Sequence, residues 1–233
     1  MATLLSALLV SKPLKVRSYP KFDTLEEERQ YRKQHLAAAY RVFAERDLIL
    51  VDEEGTVVIG DEPINAAAFA IHSEIHKARP DVDAACHAHS VYGKAWSVFG
   101  KELDMMTQDS LRFWKDHAVY TQFNGIVLDR EEGRRIAECL GGGKAVILQN
   151  HGLITVGQTI DAAAFWFLSL DKTCQAQLLV EAASGGSGIK RTIIPEEEAK
   201  FSYQQAGTPE KGWLAFQPYY DDTLAKTKGS FLK

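Results

Sequence analysis

Hydrophobic and polar positions along the chain follow two periods, which predict helices that alternate with short strands. Leu36, Ala39 and Tyr40 fall on one face of a largely polar segment, which predicts a helix from residue 23 to residue 45. Further helices are predicted at 64–80, 91–100, 130–143, 159–184 and 195–207. Short β-branched runs predict strands at 47–52, 55–60, 82–90, 124–129, 144–150 and 152–157. The alternation of the two element types predicts an α/β fold.

Glycine and proline positions divide the chain. Gly55 separates the first two predicted strands and indicates a hairpin. Residues 1–22 contain two prolines and are predicted to form an N-terminal arm, and residues 23–184 to form the domain. A glycine-rich break opens the segment 185–233, which is predicted to be a C-terminal tail that packs on the domain. Residues 103–120 show no clear period, and residues 213–220 form an aromatic run.

Composition and charge exclude several classes of protein. The chain has 233 residues, is 45% hydrophobic and 25% charged, and carries a formal net charge of −4. Its basic residues are scattered, so we predict neither nucleic acid nor a membrane as a partner. The three cysteines are odd in number and widely spaced, which favours reduced thiols in a cytoplasmic protein. The apolar run near the N-terminus lacks a preceding basic segment, so no signal peptide is expected.

Three histidines lie in apolar, strand-like surroundings. His87 and His89 are separated by one residue, so a strand would direct both side chains to one face. His151 lies between two predicted strands, and Gly152 after it indicates a backbone that needs room. Three imidazole ligands would leave the fourth position of a tetrahedral metal site open to substrate. From the spacing alone, ordinary buried or hydrogen-bonded histidines are an equal alternative.

Two longer segments carry a specific resemblance. RPDVDAACHAHSVYGKA, residues 79–95, and LQNHGLITVG, residues 148–157, resemble the signature segments of the class II aldolase/adducin family. This family includes sugar-phosphate aldolases and the head domain of adducin. The resemblance covers about residues 24–184 and implies a three-layer α/β/α domain with a largely antiparallel central sheet. It also implies homotetrameric rings, and a zinc or other divalent ion bound by His87, His89 and His151.

This chain departs from the family pattern in two places. The aldolases carry a glutamate beside the metal, which transfers the proton, where this chain has Ala68. Glu74 lies further along the same helix, about 240° round at 100° per residue, and therefore faces another way. The glycine-rich segment that binds the substrate's phosphate or carboxylate in the family is also absent after Glu45.

Two side chains are candidates for proton transfer in place of the missing glutamate. His117 and Tyr120 lie in WKDHAVYTQFNG, and Tyr120 matches the tyrosine of a family loop that reaches a neighbouring subunit's site. An aromatic packing loop is the alternative for this segment. His72 and His76 share one helix face, which is either a polar surface or, at His72, directed toward the metal.

These observations favour a metal-dependent class II aldolase-like lyase that acts on a small hydroxy acid, oxo acid or sugar-like substrate. Ala68 shifts the prediction toward decarboxylation, because departing carbon dioxide leaves the enolate without the action of a strong base. One alternative is a non-catalytic adducin-like protein that binds partners such as the actin cytoskeleton. A second alternative is a shortened, inactive family member.

Overall fold

The computed structural model of the protein describes residues 17–43, 50–52, 54–60, 63–122 and 130–232. The helices are α1 (Leu25–Phe43), α2 (Ala66–Ala78), α3 (Val91–Ser97), α4 (Arg130–Leu140), α5 (Ile160–Ser184), α6 (Glu196–Ala206) and α7 (Pro209–Thr227). The strands are β1 (Leu50–Val51), β2 (Val57–Ile59), β3 (Ala84–Ala88), β4 (His117–Tyr120), β5 (Ala145–Leu148) and β6 (Gly152–Gly157).

The central sheet has the strand order β3-β6-β5-β4. β6 runs antiparallel to β3 and to β5, whereas β4 runs parallel to β5. The predicted α/β fold with a largely antiparallel sheet is therefore confirmed, and the parallel pair makes the sheet mixed.

Helices cover both faces of this sheet, which produces the three predicted layers. Alternate side chains of β5 supply the two cores, because successive residues of a strand point to opposite faces. Val146 and Leu148 pack with α2 and α4, and Ala145 and Ile147 pack with α3 and α5. β5 is thus buried on both faces, which explains why its sequence is a continuous apolar run rather than an alternating one.

The predicted hairpin is confirmed as a separate unit. β1 and β2 pair antiparallel and form a two-stranded sheet apart from the central one. Gly55 lies between them with φ of +96°, a conformation that glycine adopts without steric cost. The strand predicted at 124–129 lies outside the described residues.

Two elements were not predicted from the periodicity. β4 is four residues long and includes the polar His117, so its sequence is too short to show an alternating pattern. α7 contains Pro218 in its interior, a residue that usually ends or kinks a helix. The helix continues through the proline because its apolar side packs on α5, with Phe216 completely buried.

The C-terminal helices contact the rest of the fold through buried polar groups. Tyr203 of α6 donates a hydrogen bond to Asp116, which precedes β4, at 2.5 Å. His35 Nδ1 of α1 lies 2.5 Å from Asp161 of α5, and Gln217 of α7 donates to the same carboxylate oxygen at 3.0 Å. In the ranges that the structure describes, no helix has the length and apolarity needed to cross a membrane.

Candidate metal centre

Three imidazole rings converge at one end of the central sheet. The ring centroids of His87 and His89 are 5.2 Å apart, and those of His87 and His151 are 4.9 Å apart. The centroids of His89 and His151 are 4.6 Å apart. The ring planes meet at 74° to 76°. One nitrogen from each ring lies within 4.8 Å of the others, so small side-chain movements bring all three onto one ion.

The strand pairing and one hydrogen bond orient His87. It lies on β3 opposite Ile154 of β6. Its Nδ1 donates a hydrogen bond to the carbonyl oxygen of Leu153 at 2.9 Å. Because the carbonyl can only accept, the proton is on Nδ1 and the lone pair of Nε2 is available. A backbone carbonyl in this role is a common second partner of metal-binding histidines.

A tight turn between β5 and β6 positions His151. Asn150 has φ of +58°, a left-handed conformation that asparagine tolerates better than most residues. The His151 N–H donates to the Leu148 carbonyl at 3.0 Å and closes the turn. The Gln149 N–H donates to the carbonyl of Tyr120 at 2.9 Å, which ties the turn to β4. The backbone therefore holds the third ring in place beside the other two.

Burial favours the neutral form of two of these rings, His87 and His151. It lowers the pKa of His87 to about 4. Burial also lowers the pKa of His151, and the neighbouring His89 lowers it further. A metal ion binds only the neutral imidazole, through its free lone pair. The donor set of three imidazole nitrogens fits zinc, or another divalent ion that accepts imidazole ligands, with a position left for substrate.

A sequence profile described as the class II aldolase and adducin N-terminal domain matches residues 29–178, which is more than half of the chain. The chain belongs to this family. Both histidine segments lie inside the matched range, so the predicted class II aldolase/adducin resemblance is confirmed.

Two Streptomyces relatives in the class II aldolase/adducin family share nearly half of the aligned residues. The 4-hydroxy-3-prenylphenylpyruvate oxygenase/4-hydroxy-3-prenylbenzoate synthase of Streptomyces roseochromogenus subsp. oscitans is 47% identical over 192 residues, or 82% of this chain and 68% of the relative. Decarboxylase NovR of Streptomyces niveus is 46% identical over 192 residues, or 82% of this chain and 69% of the relative. Among solved structures, the L-fuculose 1-phosphate aldolase of Glaciozyma antarctica PI12 superposes with a TM-score of 0.82 at 37% identity. That match covers 92% of this chain and 97% of the aldolase.

Ala68 is the residue that the resemblance places at the position of the family's acid. Ala68 lies in the first turn of α2, where its N–H donates to the Asn65 side chain at 3.1 Å. Glu74 is 6% exposed, and its carboxylate lies 3.0 Å from Lys77 and 3.4 Å from Arg134 of α4. The contact with Arg134 directs the Glu74 carboxylate toward α4.

The register of the sheet places Tyr120 at the end that carries the histidine turn. Tyr120 pairs with Leu148 of β5, which in turn pairs with Gly152 of β6. Its phenol oxygen accepts a hydrogen bond from Arg135 Nε at 3.4 Å. Tyr120 is 7% exposed and lies in the core between the sheet and α4.

His117 lies at the other end of β4, and the fold uses both of its ring nitrogens. Nδ1 donates to the carbonyl of Phe113 at 2.7 Å, and Nε2 accepts from the Leu103 N–H at 2.9 Å. Burial lowers the pKa of His117. The structure therefore does not bring His117 together with the three clustered histidines.

Sequence reasoning did not identify a cavity of about 370 Å³ beside α2. Phe69, His72, Ser73 and His76 line it from one side, at the spacing of one helix face. The helical spacing of these four residues in the sequence could have indicated that they share one surface. The opposite wall includes Val51 of the hairpin, whose position no periodicity predicts.

Substitution of Gly152 by alanine is expected to weaken metal binding by about tenfold to a hundredfold. This is the usual loss when a group that orients a metal ligand is disturbed. An added Cβ would lie 2.8 Å from the Ala88 carbonyl oxygen and 3.3 Å from the His89 ring, so the ring must shift. Titration with zinc measures the effect. Gly142→Ala is the matched control, because no atom lies within 4 Å of its Cβ position. Equal affinities of the two variants would contradict this role of Gly152.

Acidification is expected to destabilise the metal-free chain through His72. Burial lowers the pKa of His72 to about 4, whereas an unfolded histidine titrates near 6.5. The unfolded chain therefore takes up the proton first, and the free energy of unfolding falls between about pH 6.5 and pH 4. The loss is roughly 3 kcal/mol for this ring at pH 4. Urea unfolding of His72→Gln should show a correspondingly smaller loss over this range, and an unchanged slope would contradict the prediction.

Proposed function

We propose that this protein is a metal-dependent lyase that cleaves a carbon–carbon bond of a small oxo acid or hydroxy acid, with decarboxylation as the favoured reaction. The observation that carries the proposal is the convergence of His87, His89 and His151 in a member of the class II aldolase/adducin family. The printed names of the two Streptomyces relatives, a decarboxylase and a benzoate synthase, support the same reaction class.

His87, His89 and His151 would hold the ion, which is zinc in this proposal. When bound, the ion would act as a Lewis acid that withdraws electrons from the substrate's carbonyl oxygen. The Leu153 carbonyl would keep the His87 ring in the tautomer that leaves Nε2 free. The half-buried position of His87 and His151 would limit the access of water to the site.

Decarboxylation suits the apolar side chain at Ala68. In a β-oxo acid, the bond between the carboxylate and the carbon next to the oxo group breaks, carbon dioxide leaves, and the electron pair stays on the substrate as the enolate of that oxo group. The enolate then takes up one proton, so the protein must supply an acid but no strong base. Aldol cleavage, by contrast, requires removal of a hydroxyl proton, and Ala68 cannot accept it.

Tyr120 is the side chain that we propose as the proton donor. Tyr120 pairs with Leu148, the last residue of β5 before the turn that contains His151, and Arg135 contacts its phenol oxygen. His117 remains a second candidate from the sequence. Proton transfer through His117 requires that its ring nitrogens first give up their hydrogen bonds with the backbone of Phe113 and Leu103.

Turnover assays on the purified chain test this function. Benzoylacetate, a β-oxo acid with an aryl group, is supplied alongside phenylpyruvate and fuculose 1-phosphate with zinc or iron(II), with and without oxygen. Carbon dioxide is measured for the two oxo acids, with release expected from benzoylacetate, and dihydroxyacetone phosphate is measured for the sugar phosphate. Zinc-supported release without oxygen is the expected result. Release that requires iron(II) and oxygen would replace the lyase proposal with an oxygenase, the activity that one relative's name states.

The alternatives give different outcomes in the same preparation. A well-folded chain without bound metal or turnover would favour the adducin-like binding protein, which actin cosedimentation then tests. Early melting and aggregation would favour the shortened, inactive family member.

We also propose that the chain forms a homotetramer with its site near a subunit contact. The support is a set of exposed apolar side chains that follow His89 in the sequence: Val91, Tyr92, Val98 and Phe99. Light scattering coupled to size exclusion measures the mass, and a monomer would contradict this part of the proposal.

A further inference from the structure

Three of the cavities in the described part of the chain lie in different places. One lies at the end of the sheet marked by Gly157, where Asp116 and Lys144 pair across it at 3.0 Å. A second, small cavity lies beside the buried pair of His35 and Asp161. The third is the cavity of about 370 Å³ between α2 and the β1–β2 hairpin, hereafter the α2 cavity. Its volume lies in the range of ligand pockets in general.

The α2 cavity adjoins the histidine cluster through His72. The His72 ring lines the cavity, and its helix packs on the sheet face that carries His87, because Ile71 of α2 lies in one core cluster with Ile154, the strand partner of His87. The other two cavities lie at the opposite end of β6 from His151, beside Gly157 and Thr159. A substrate whose reacting end lies at the histidines can therefore extend into the α2 cavity.

The walls of the α2 cavity suit an apolar group. Phe69 contributes a half-buried ring, and Val51 lies across from it. The backbone of the hairpin holds Phe69 in place, because a Cβ added at Gly55 would lie 3.0 Å from its ring. Arg130 also contacts the ring, with its guanidinium carbon 5.5 Å from the centroid. The Phe69 ring is therefore held between neighbouring groups, and the α2 cavity lies beside it.

The charged groups of the α2 cavity are already paired. Lys77 contacts Glu74 at 3.0 Å. Asp52 accepts hydrogen bonds from the N–H groups of Glu54 and Thr56 at 3.1 and 2.7 Å. Among the described residues that line the cavity, Lys77 is the one cation of Lys or Arg type. A phosphate needs several donors or cations, so this lining does not suit a sugar phosphate.

We infer that the α2 cavity is the subsite for an aromatic tail of the substrate, and that Phe69 selects substrates with such a tail over sugar phosphates. The inference rests on the proposed function for the location of the reacting end. It narrows the substrate class to oxo or hydroxy acids that carry an aryl group. Ring-on-ring contact with Phe69 supplies the selectivity, because aromatic pairs gain stability beyond their buried area.

Binding of p-cresol, an aryl tail without an acid group, tests the subsite apart from the metal. Ligand-observed nuclear magnetic resonance measures its dissociation constant with the full chain. We expect equal binding to the wild type and to His89→Ala. Phe69→Ala should weaken binding at least about tenfold. Phe69→Trp should also weaken it, because the larger ring fills the cavity while keeping the apolar contact with the hairpin. Phe201→Ala removes an exposed phenylalanine on α6 and should leave binding unchanged.

Several results would overturn the inference. These are no binding of p-cresol to the wild type, or equal binding to the wild type and to a folded Phe69→Trp. A third such result is that dihydroxyacetone phosphate binds more tightly than phenylpyruvate and that Lys77→Ala weakens the binding of dihydroxyacetone phosphate. Failure of the proposed function has a different signature, since absent metal or turnover leaves the p-cresol measurement readable.

Discussion

Replacement of His151 by alanine is expected to weaken metal binding by more than about a hundredfold. Loss of an outer-shell partner alone typically costs tenfold to a hundredfold in metal affinity, and His151 is proposed as one of three direct ligands. The remaining rings, His87 and His89, offer two nitrogens, too few for the sites that zinc normally occupies in proteins. Metal content of the purified variant and a competition titration with a chelator measure the loss.

His76→Ala is the matched control for the metal measurement. His76 is exposed, lies outside the cluster, and uses its Nδ1 in a hydrogen bond with the Val82 carbonyl at 3.1 Å. It should retain the wild-type metal content. If His151→Ala also retains that content while it stays folded, the three-histidine site is wrong, and the lyase proposal loses the observation on which it depends.

Replacement of Asp161 by alanine is expected to lower the free energy of unfolding by about 2–4 kcal/mol, because two buried groups lose a hydrogen-bond partner and each such loss costs about 1–3 kcal/mol. Asp161 is 1% exposed and joins three helices. It lies 2.5 Å from His35 Nδ1 of α1 and accepts from Gln217 of α7 at 3.0 Å. Alanine leaves both of these buried groups without this partner. Urea unfolding at constant pH measures the change.

Asp222→Ala separates this effect from the loss of a carboxylate in general. Asp222 is exposed and pairs with Lys226 one turn along α7 at 2.7 Å, so its removal should cost less than about 1 kcal/mol. Similar losses in the two variants would contradict the role of Asp161 as the link between the helices. Metal content per folded chain should stay unchanged in both variants, because neither residue belongs to the histidine cluster.

Elements with a strong local signal were predictable from the sequence. The helix at 64–80 has an asparagine cap and a proline beyond its end, and the structure begins α2 directly after Asn65. The Asn65 side chain accepts the N–H groups of Ala67 and Ala68, as such a cap does. Elements whose stability comes from distant partners were not predictable. β4 is recognisable only by its pairing with β5, and α7 passes through Pro218 because α5 packs against it.

The sequence by itself indicated the family and the class of fold, and it indicated the three histidines as candidate metal ligands. Each indication comes from short, continuous segments of the chain. His87 and His89 share a strand face, and His151 sits between two strands that must be neighbours if a short turn joins them. Only the tertiary structure decided which other groups meet them. It directed Glu74 toward α4, and it placed the hairpin against Phe69. These outcomes depend on how separate segments pack together. The most stable packing is decided by contacts across the whole chain, which no single segment of the sequence contains.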